Sequence, residues 1–469
     1  MKHNNYRYAM LSLQRLERCK KQQCRDAGTK AFFGGRGLCE AVAAPATSSA
    51  LTARSREIDP CIPDTMAAAG PAKASVAAVE AASDLGYLTR PLHWAAIMRH
   101  PRSVAGSVLL FRLRTLFFAT VCFTFLCSQL TVMCRQGTTD LDVFTLTLSV
   151  ADTTAIWLVR LLHIAMCERD FHRLALQVGQ DFAEFLSPED VPVLLSQGRS
   201  VRRFTLTYIS LGVLVTTYWL FTPVSPEGLP FFLALPYDAS TPLGFAVSWV
   251  YCTVGTVHVV VMTMVLDSFN VSLINQLRMQ LALLNNKIVS LPRENSSTPL
   301  DSLQTTGYWD LHYRLEKCVL HHQAIIRNSD LLEKSLKGML LAQSLSIGAA
   351  ACFQMFEVAM SADGLQQIGK FGLYLTGMLA ELFIYCWFGD DLITESENLA
   401  VAAYDAVTSL QGCPLSIKKS LLLLMHRAQR PLRITAGGFF PFSRESFVAV
   451  VNVSYSFFAI LRNFKDDQE

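Results

Sequence analysis

The sequence predicts an all-α membrane protein with seven transmembrane helices. Hydrophobic residues make up 51% of the 469-residue chain and charged residues only 17%, whereas an average protein has about 25% charged residues. The apolar residues are concentrated in seven blocks, and positive charge alternates between the segments that join them. A helix of about 20 predominantly apolar residues crosses a bilayer, and each block approaches that length.

Each apolar block is predicted to form one transmembrane helix. The first is LFFATVCFTFLCSQLTVM. The last has 22 residues and reaches roughly 33 Å as a helix, which is enough to cross the hydrocarbon core. The predicted spans cover residues 116–133, 143–166, 204–222, 245–266, 340–360, 371–388 and 443–464.

The distribution of lysine and arginine predicts the orientation in the membrane. From the segment before the first span to the loop before the last, the counts are 5, 1, 5, 0, 8, 1 and 5. Positive residues accumulate on the cytosolic side of membrane proteins. The alternation therefore predicts a cytosolic N-terminus and an extracellular C-terminus, opposite to the arrangement of G-protein-coupled receptors.

The long segment between the fourth and fifth spans is predicted to be helical. Leucine and isoleucine recur at spacings of three and four from Leu273 to Leu291, and a second stripe runs from Leu311 to Leu336. This spacing places apolar side chains on one helical face. Together with a helix predicted in SIKKSLLLLMHRAQRPL, the stripes predict a cytosolic helical anchor region in which long spans continue below the membrane.

The N-terminal segment differs in composition from the rest of the chain. Residues 41–83 are rich in alanine and serine and contain no aromatic residue, a composition typical of disorder. We therefore predict two parts. Residues 1–85 form a disordered N-terminal extension, and residues 86–469 form the seven-helix domain.

Other classes of function are not indicated by the sequence. A net charge of +3 is too small to predict a nucleic-acid partner, and no zinc-finger, phosphate-loop or dinucleotide-binding spacing occurs. Adjacent residues such as His321 and His322 point about 100° apart on a helix and make poor metal ligands together. We therefore predict neither an enzyme nor a cofactor or metal site.

Three C-terminal stretches together carry a family resemblance. They are CVLHHQAIIRNSDLLEKSL, GDDLITESENLAVAAYD and LLLLMHRAQRPLRITAGGFFPFSRESFVAVVNVSYSFFAILR. They resemble the insect odorant receptors, a seven-span family of ligand-gated cation channels, and the resemblance extends from about residue 90 to the end. Members of that family usually begin a few dozen residues before the first span, so residues 1–85 are extra.

The resemblance implies a function, partners and a location. It implies a subunit of an odorant-gated, non-selective cation channel that detects volatile odorants with the odorant co-receptor, as a heterotetramer. The location implied is the plasma membrane of olfactory sensory neurons. The seventh helices would surround the pore, and the family's pore positions fall on Val453, Ser456, Phe457, Ile460, Asn463 and Phe464.

Periodicity alone indicates a slightly different face of the last helix. Four small or polar residues recur at i, i+4, i+7 and i+11 and so share one face. They are Asn452, Ser456, Ala459 and Asn463. This face is centred roughly 70° from Ile460. Residues of this kind also mediate helix packing in membranes, so a pore lining and a helix contact both explain the stripe.

The odorant pocket is expected, by the same resemblance, among the outer halves of the second, third, fourth and sixth spans. Aromatic side chains with one or two hydroxyl groups suit small apolar ligands. The candidates are Phe144, Thr147, Tyr218, Trp219, Trp249, Thr253, Phe371 and Tyr374. Ordinary packing in the core or against lipid is the alternative for each of them.

Three ionisable residues lie within the predicted spans. Asp152 and Arg160 lie about two helical turns apart in the second span, and Glu381 lies in the sixth. Charged residues inside a membrane often attract ions or take part in gating. The alternative is that they extend to the interface or pair with another helix.

Two other functions are compatible with a seven-span chain. A gustatory receptor channel would keep the sensory role, but that family ends in Thr-Tyr, five residues and Gln-Phe, where this chain has Ser456-Phe457 and Asn463-Phe464. A secondary transporter would show internal repeats, and the two halves of the sequence show none. Both differences favour the odorant receptor.

Overall fold

A computed structural model of the chain describes Leu88 and residues 105–136, 141–295, 306–360, 365–410 and 413–466. The disordered extension predicted for residues 1–85 lies outside the described residues. The described part is helical apart from turns, short loops and one small hairpin.

The helices follow one another with short connections. They are α1 (Ala105–Gln136), α2 (Leu141–Met166), α3 (Glu168–Ala183), α4 (Val191–Phe221), α5 (Pro242–Asn295), α6 (Thr306–Met360), α7 (Leu365–Ser409), α8 (Leu415–Ala428) and α9 (Arg444–Asp466). A 3₁₀ turn at Pro188–Asp190 precedes α4. Strands β1 (Thr435–Ala436) and β2 (Phe440–Pro441) pair antiparallel before α9.

Seven helices in the described ranges are long and apolar enough to cross a membrane: α1, α2, α4, α5, α6, α7 and α9. Each covers one predicted span to within one residue, which confirms the all-α fold with seven membrane-spanning helices. The predicted bounds agree closely for α2 and α9. The other five helices are longer than predicted, because their polar continuations also remain helical.

Local hydrogen bonds order the turn before α4 and the start of α5. The Ser187 backbone N–H donates to Asp190 Oδ2 at 2.9 Å just before α4. The Thr241 hydroxyl accepts the Gly244 N–H at 3.1 Å, as expected of a threonine N-cap at the start of α5. In the loop before it, two hydrogen bonds from Ser240 hold the pKa of the exposed Asp238 carboxyl below its usual value.

Beyond the predicted spans, α5, α6 and α7 pack with α8 into one unit, here called the basal bundle (residues 267–295, 306–339, 389–409 and 415–428). The predicted leucine stripe of α5 lies in its core, where Leu281, Leu284 and Ile288 are completely buried. Residues 267–291 contain neither proline nor glycine, so nothing in the sequence interrupts the helix there.

A short hairpin joins α8 to α9 and is fixed to α6. Its turn contains Gly437 and Gly438 at φ 62° and 83°, a region that favours glycine because it has no Cβ. The Gly437 N–H donates to the Lys337 carbonyl oxygen at 2.8 Å. The Thr435 backbone N–H donates to Glu333 Oε2 at 2.8 Å.

The start of α9 is fixed to α7. A Cβ at Gly389 would lie 2.5 Å from the Phe442 carbonyl oxygen, so only glycine permits this approach. Two residues further along both segments, Arg444 Nη2 donates to Asp391 Oδ1 at 2.8 Å. The Arg444 guanidinium also lies 4.1 Å from the Trp387 ring centroid, within the range of a cation–π contact.

Candidate functional site

A cavity of about 120 Å³ lies between α1, α2, α4, α5 and α7. Four of these helices carry the spans from which the odorant pocket was expected, and α1 is the fifth. One face of α4 lines the cavity through Tyr208, Gly212, Thr216 and Trp219. These positions share a face because they are separated by four, four and three residues.

Aromatic rings close the end of the cavity nearest the loop between α4 and α5. The Trp219 ring centroid lies 5.4 Å from that of Tyr374 and 5.8 Å from that of Phe231. Lys370 Nζ lies 4.2 Å from the Trp219 centroid and donates to the C-cap carbonyl oxygen of α4 at 2.6 Å. This cation is thereby paired with both a π face and an acceptor, and it helps to hold Trp219.

A buried ionic cluster lies at the opposite end. Glu381 lines the cavity, and its Oε1 accepts hydrogen bonds from Arg160 Nη2 at 2.6 Å and Gln343 Nε2 at 2.5 Å. Arg160 Nη1 lies 3.4 Å from Asp267 Oδ1, which accepts the Tyr385 hydroxyl at 2.8 Å. Buried charges require such partners, and the cluster thus joins α2, α5, α6 and α7.

These contacts decide between the two interpretations of the ionisable residues. Arg160 pairs with acidic side chains of α5 and α7. Asp152 accepts a hydrogen bond from the Ser346 hydroxyl at 2.6 Å. Pairing with other helices, which was the structural alternative, is therefore what is observed.

Among the eight predicted odorant-binding residues, Trp219 and Tyr374 line the cavity. Phe371 is buried and packs against Trp219, with ring centroids 6.2 Å apart. Phe144 is half-buried and Thr147 is buried on α2. Both lie outside the cavity lining.

The remaining three predicted residues have other contacts in the described chain. The Tyr218 hydroxyl donates to the Gln366 carbonyl oxygen at 3.1 Å. The Thr253 hydroxyl donates to the Trp249 carbonyl oxygen at 2.8 Å. The Trp249 ring lies 6.0 Å from that of Phe221.

The sequence-based candidates did not include Tyr208, and they treated Glu381 only as an ionisable residue. The signal that could have found Tyr208 was its position 11 residues before Trp219, on the same face of α4. An apolar or aromatic stripe is also typical of ordinary packing, so the spacing alone does not identify a cavity wall.

The two faces of α9 have different surroundings. The buried Ser454 donates to the Gly348 carbonyl oxygen of α6 at 2.9 Å. The exposed residues of α9 include Val453, Ser456, Phe457, Ile460 and Asn463, and the side chain of the sixth candidate, Phe464, lies outside the described residues. Asn452 is also exposed and Ala459 is half-buried, so the two predicted faces belong to one exposed arc.

The adjacent histidines of α6 lie inside the basal bundle. The His321 ring stacks on Phe185 with centroids 4.8 Å apart. Its Nε2 lies 2.9 Å from Gln280 Oε1. In the part of the chain that the structure describes, no three His, Cys, Asp or Glu side chains are grouped to hold a metal ion.

Comparison with known sequences gives a family. The family model for the 7tm odorant receptor matches residues 140–455. Odorant receptor Or2 of Anopheles gambiae is 28% identical over 300 residues, which cover 63% of this chain and 77% of that protein. Odorant receptor 10 of Aedes albopictus is 28% identical over 283 residues, covering 58% and 70%.

Solved structures share the fold. The insect olfactory receptor OR5 from Machilis hrabei in complex with eugenol matches with a TM-score of 0.70 at 14% identity, over 83% of this chain and 99% of that chain. A second structure of OR5 matches with a TM-score of 0.66 at 16% identity, over 81% and 96%. With seven spanning helices and a family match across most of its length, the chain is a multi-pass membrane protein that belongs to the 7tm odorant receptor family.

Proposed function

We propose that this chain is the odorant-binding subunit of an odorant-gated, non-selective cation channel. It assembles with the odorant co-receptor into a heterotetramer in the plasma membrane of olfactory sensory neurons, with a cytosolic N-terminus and an extracellular C-terminus. Family membership and the distribution of lysine and arginine support this proposal. Family membership also favours it over a gustatory receptor or a transporter.

The cavity is the proposed odorant site. Its volume of about 120 Å³ is close to that of an engineered apolar cavity of about 150 Å³ that binds benzene. Trp219 and Tyr374 give its wall aromatic surfaces, which suit small volatile molecules. The structurally similar olfactory receptor OR5 was solved in complex with eugenol, which is also a small aromatic molecule.

The exposed face of α9 is the observation that carries the channel proposal. The helix is long and apolar enough to span a membrane, yet Asn452, Ser456 and Asn463 are exposed on it. Polar side chains inside a membrane normally face water or a neighbouring helix rather than lipid. Four such helices around one axis, one from each subunit of the proposed heterotetramer, would enclose a water-filled pore lined by these side chains, and Ile460 would help to close that pore by dewetting.

Helix α7 connects the proposed odorant site with the proposed pore. Tyr374 and Glu381 of α7 line the cavity. Further along the same helix, Trp387 and Asp391 hold Arg444 at the start of α9. Suppose that α7 has two placements and that an odorant binds the cavity more tightly in one of them. The odorant would then favour that placement and shift α9 with it, because a ligand favours the state to which it binds better.

The channel proposal predicts a specific effect of Ile460→Ala. In cells that express this chain with the odorant co-receptor, we expect several-fold more current without odorant, because the smaller side chain removes an apolar constriction. Whole-cell recording across a panel of odorants measures both the resting current and the evoked current.

The matched control is Ile368→Ala, which makes the same deletion at an exposed position of α7. It should leave the resting current unchanged. Equal resting currents and ion block in the two variants and the parent would remove Ile460 from the gate. Odorant responses of the same size without the co-receptor would contradict the proposed heterotetramer.

A further inference from the structure

Tyr208 is an unusual member of the cavity wall. Its side chain is only 6% exposed, it lines the cavity, and its hydroxyl has no hydrogen-bond partner among the described residues. A buried hydroxyl without a partner costs about 1–3 kcal/mol. A group of this kind is retained most readily where something else supplies the partner.

The neighbouring polar groups bond mainly to each other, while Asp267 Oδ2 and Gln343 Oε1 have no hydrogen-bond partner among the described residues. Glu381 Oε1 accepts from Arg160 and Gln343, and Asp267 Oδ1 accepts from Tyr385 and lies 3.4 Å from Arg160. Tyr208 lies within electrostatic range of this cluster without bonding to it. The ionic cluster therefore gives the Tyr208 end of the cavity an acidic character.

Several other hydroxyl groups in the wall are already paired. Tyr374 bonds with Thr153. Thr154 and Thr216 donate to carbonyl oxygens of their own helices at 3.0 Å and 2.8 Å. Thr256 and Thr263 also line the cavity and are half-buried. Among the fully buried hydroxyl groups of the described wall, that of Tyr208 is the one a ligand can bind without breaking an existing bond.

A second unpartnered donor, Trp219 Nε1, lies toward the aromatic end. It comes 11 residues after Tyr208 on α4, about 16 Å along the helix axis. A ligand of benzene size does not bridge that distance, so it pairs at one end. An indole N–H only donates, whereas the Tyr208 end offers a hydroxyl beside carboxylates.

From this geometry we propose that the cavity recognises a hydroxyl group on a small apolar skeleton, and that Tyr208 is the residue that binds it. The ligand oxygen accepts from the Tyr208 hydroxyl, and the ligand hydrogen points toward the acidic cluster. A ketone or ester of the same size can only accept. This inference rests on the proposed use of the cavity as the odorant site.

The test measures ligand binding to the full-length purified chain in detergent. The affinity is obtained from the rise in the unfolding temperature as the ligand concentration increases. The two probes are cyclohexanol and methylcyclohexane, which differ by a hydroxyl in place of a methyl group. The methyl group of methylcyclohexane itself favours transfer from water, so the two affinities in the parent protein cannot be compared directly. The informative quantity is the change in the ratio of the two affinities when a residue of the protein is substituted.

Tyr208→Phe removes only the hydroxyl and keeps the ring that stacks on Phe204. We expect it to weaken cyclohexanol binding roughly threefold to tenfold, the value of one hydrogen bond. Methylcyclohexane binding should stay within about twofold, because the apolar wall is unchanged. Trp219→Phe removes the other unpartnered donor and should change the affinities for both probes together. The matched control, Tyr404→Phe, removes the same hydroxyl group at an exposed position of α7 and should leave both affinities unchanged.

Any other binding result overturns the inference. Equal effects of Tyr208→Phe on both probes, or no effect on either, would show that the hydroxyl does not bind the ligand. A change of ratio with Trp219→Phe alone would place recognition at the aromatic end. Binding of neither probe to the parent would exclude the cavity as their site. The expected binding pattern without odorant-evoked currents would refute the channel function and leave this inference standing.

Discussion

The basal bundle and α9 are both helical and rich in apolar residues, but they are partnered differently. In the basal bundle, Leu281, Leu284 and Ile288 are completely buried by other parts of the same chain. In α9, Phe457 is 61% exposed and Ile460 is 50% exposed. The first region completes its own core, whereas the second presents its apolar and polar groups to surroundings outside the chain.

This difference separates stability from function. Burial contributes about 25 cal/mol for each Å² of apolar surface removed from water, so a residue buried within the chain stabilises the chain itself. A residue exposed on α9 stabilises only what forms around it, namely the lipid contact or the proposed tetramer. Substitutions in the interior should therefore alter the unfolding of one subunit, and substitutions on the exposed face should alter conduction.

The largest loss of stability is expected at the buried ionic cluster that joins α2, α5, α6 and α7. Arg160→Met leaves Glu381 and Asp267 buried without their cation, and breaking a buried pair in this way costs about 3–5 kcal/mol. The matched control is Arg433→Met at an exposed position. Thermal unfolding of the purified variants in detergent measures the difference. If both variants unfold at the same temperature, the cluster does not stabilise the interior.

The core of the basal bundle should give the next largest effect. Leu284→Ala removes a completely buried side chain and should cost about 2–5 kcal/mol through lost burial and the cavity that remains. Leu423→Ala makes the same change at a position that is 67% exposed and should stay within about 0.5 kcal/mol of the parent. Similar losses of stability in both variants would mean that Leu284 and Leu423 do not differ in burial in the folded protein.

The smallest effect is expected where α9 touches its own chain. Ser454→Ala removes the hydrogen bond to Gly348 of α6 and should cost about 0.5–1.5 kcal/mol. Ser456→Ala removes a bond only to Asn452 of the same helix and should barely change the unfolding temperature of the separate subunit. A larger loss of stability for Ser456→Ala than for Ser454→Ala would mean that Ser456, and not Ser454, lies on the face of α9 that packs against α6.

Periodicity predicted the regular parts of the fold well. The spacing from Leu273 to Leu291 predicted a buried helical stripe, and these two residues are 1% and 2% exposed. Such patterns are local, because they depend only on the geometry of one helix. The family match agrees with the resemblance found in the C-terminal third.

The cavity could be predicted only in part, because it depends on how helices are rotated against each other. Trp219 lines it, whereas the adjacent Tyr218 does not, since neighbouring residues point about 100° apart. Arg160 finds partners 107 and 221 residues away. No local pattern carries that information.

The contacts described for α9 lie at Arg444 and Ser454, so the end of the helix that carries Ile460 lies beyond them and acts as a lever. Arg444 is held by α7, and Ile460 lies 16 residues further on, about 24 Å along the axis. A tilt of about 5° at the held end moves Ile460 by about 2 Å at this leverage. A small tilt at the start of α9 is thereby enlarged into a movement of about 2 Å at Ile460.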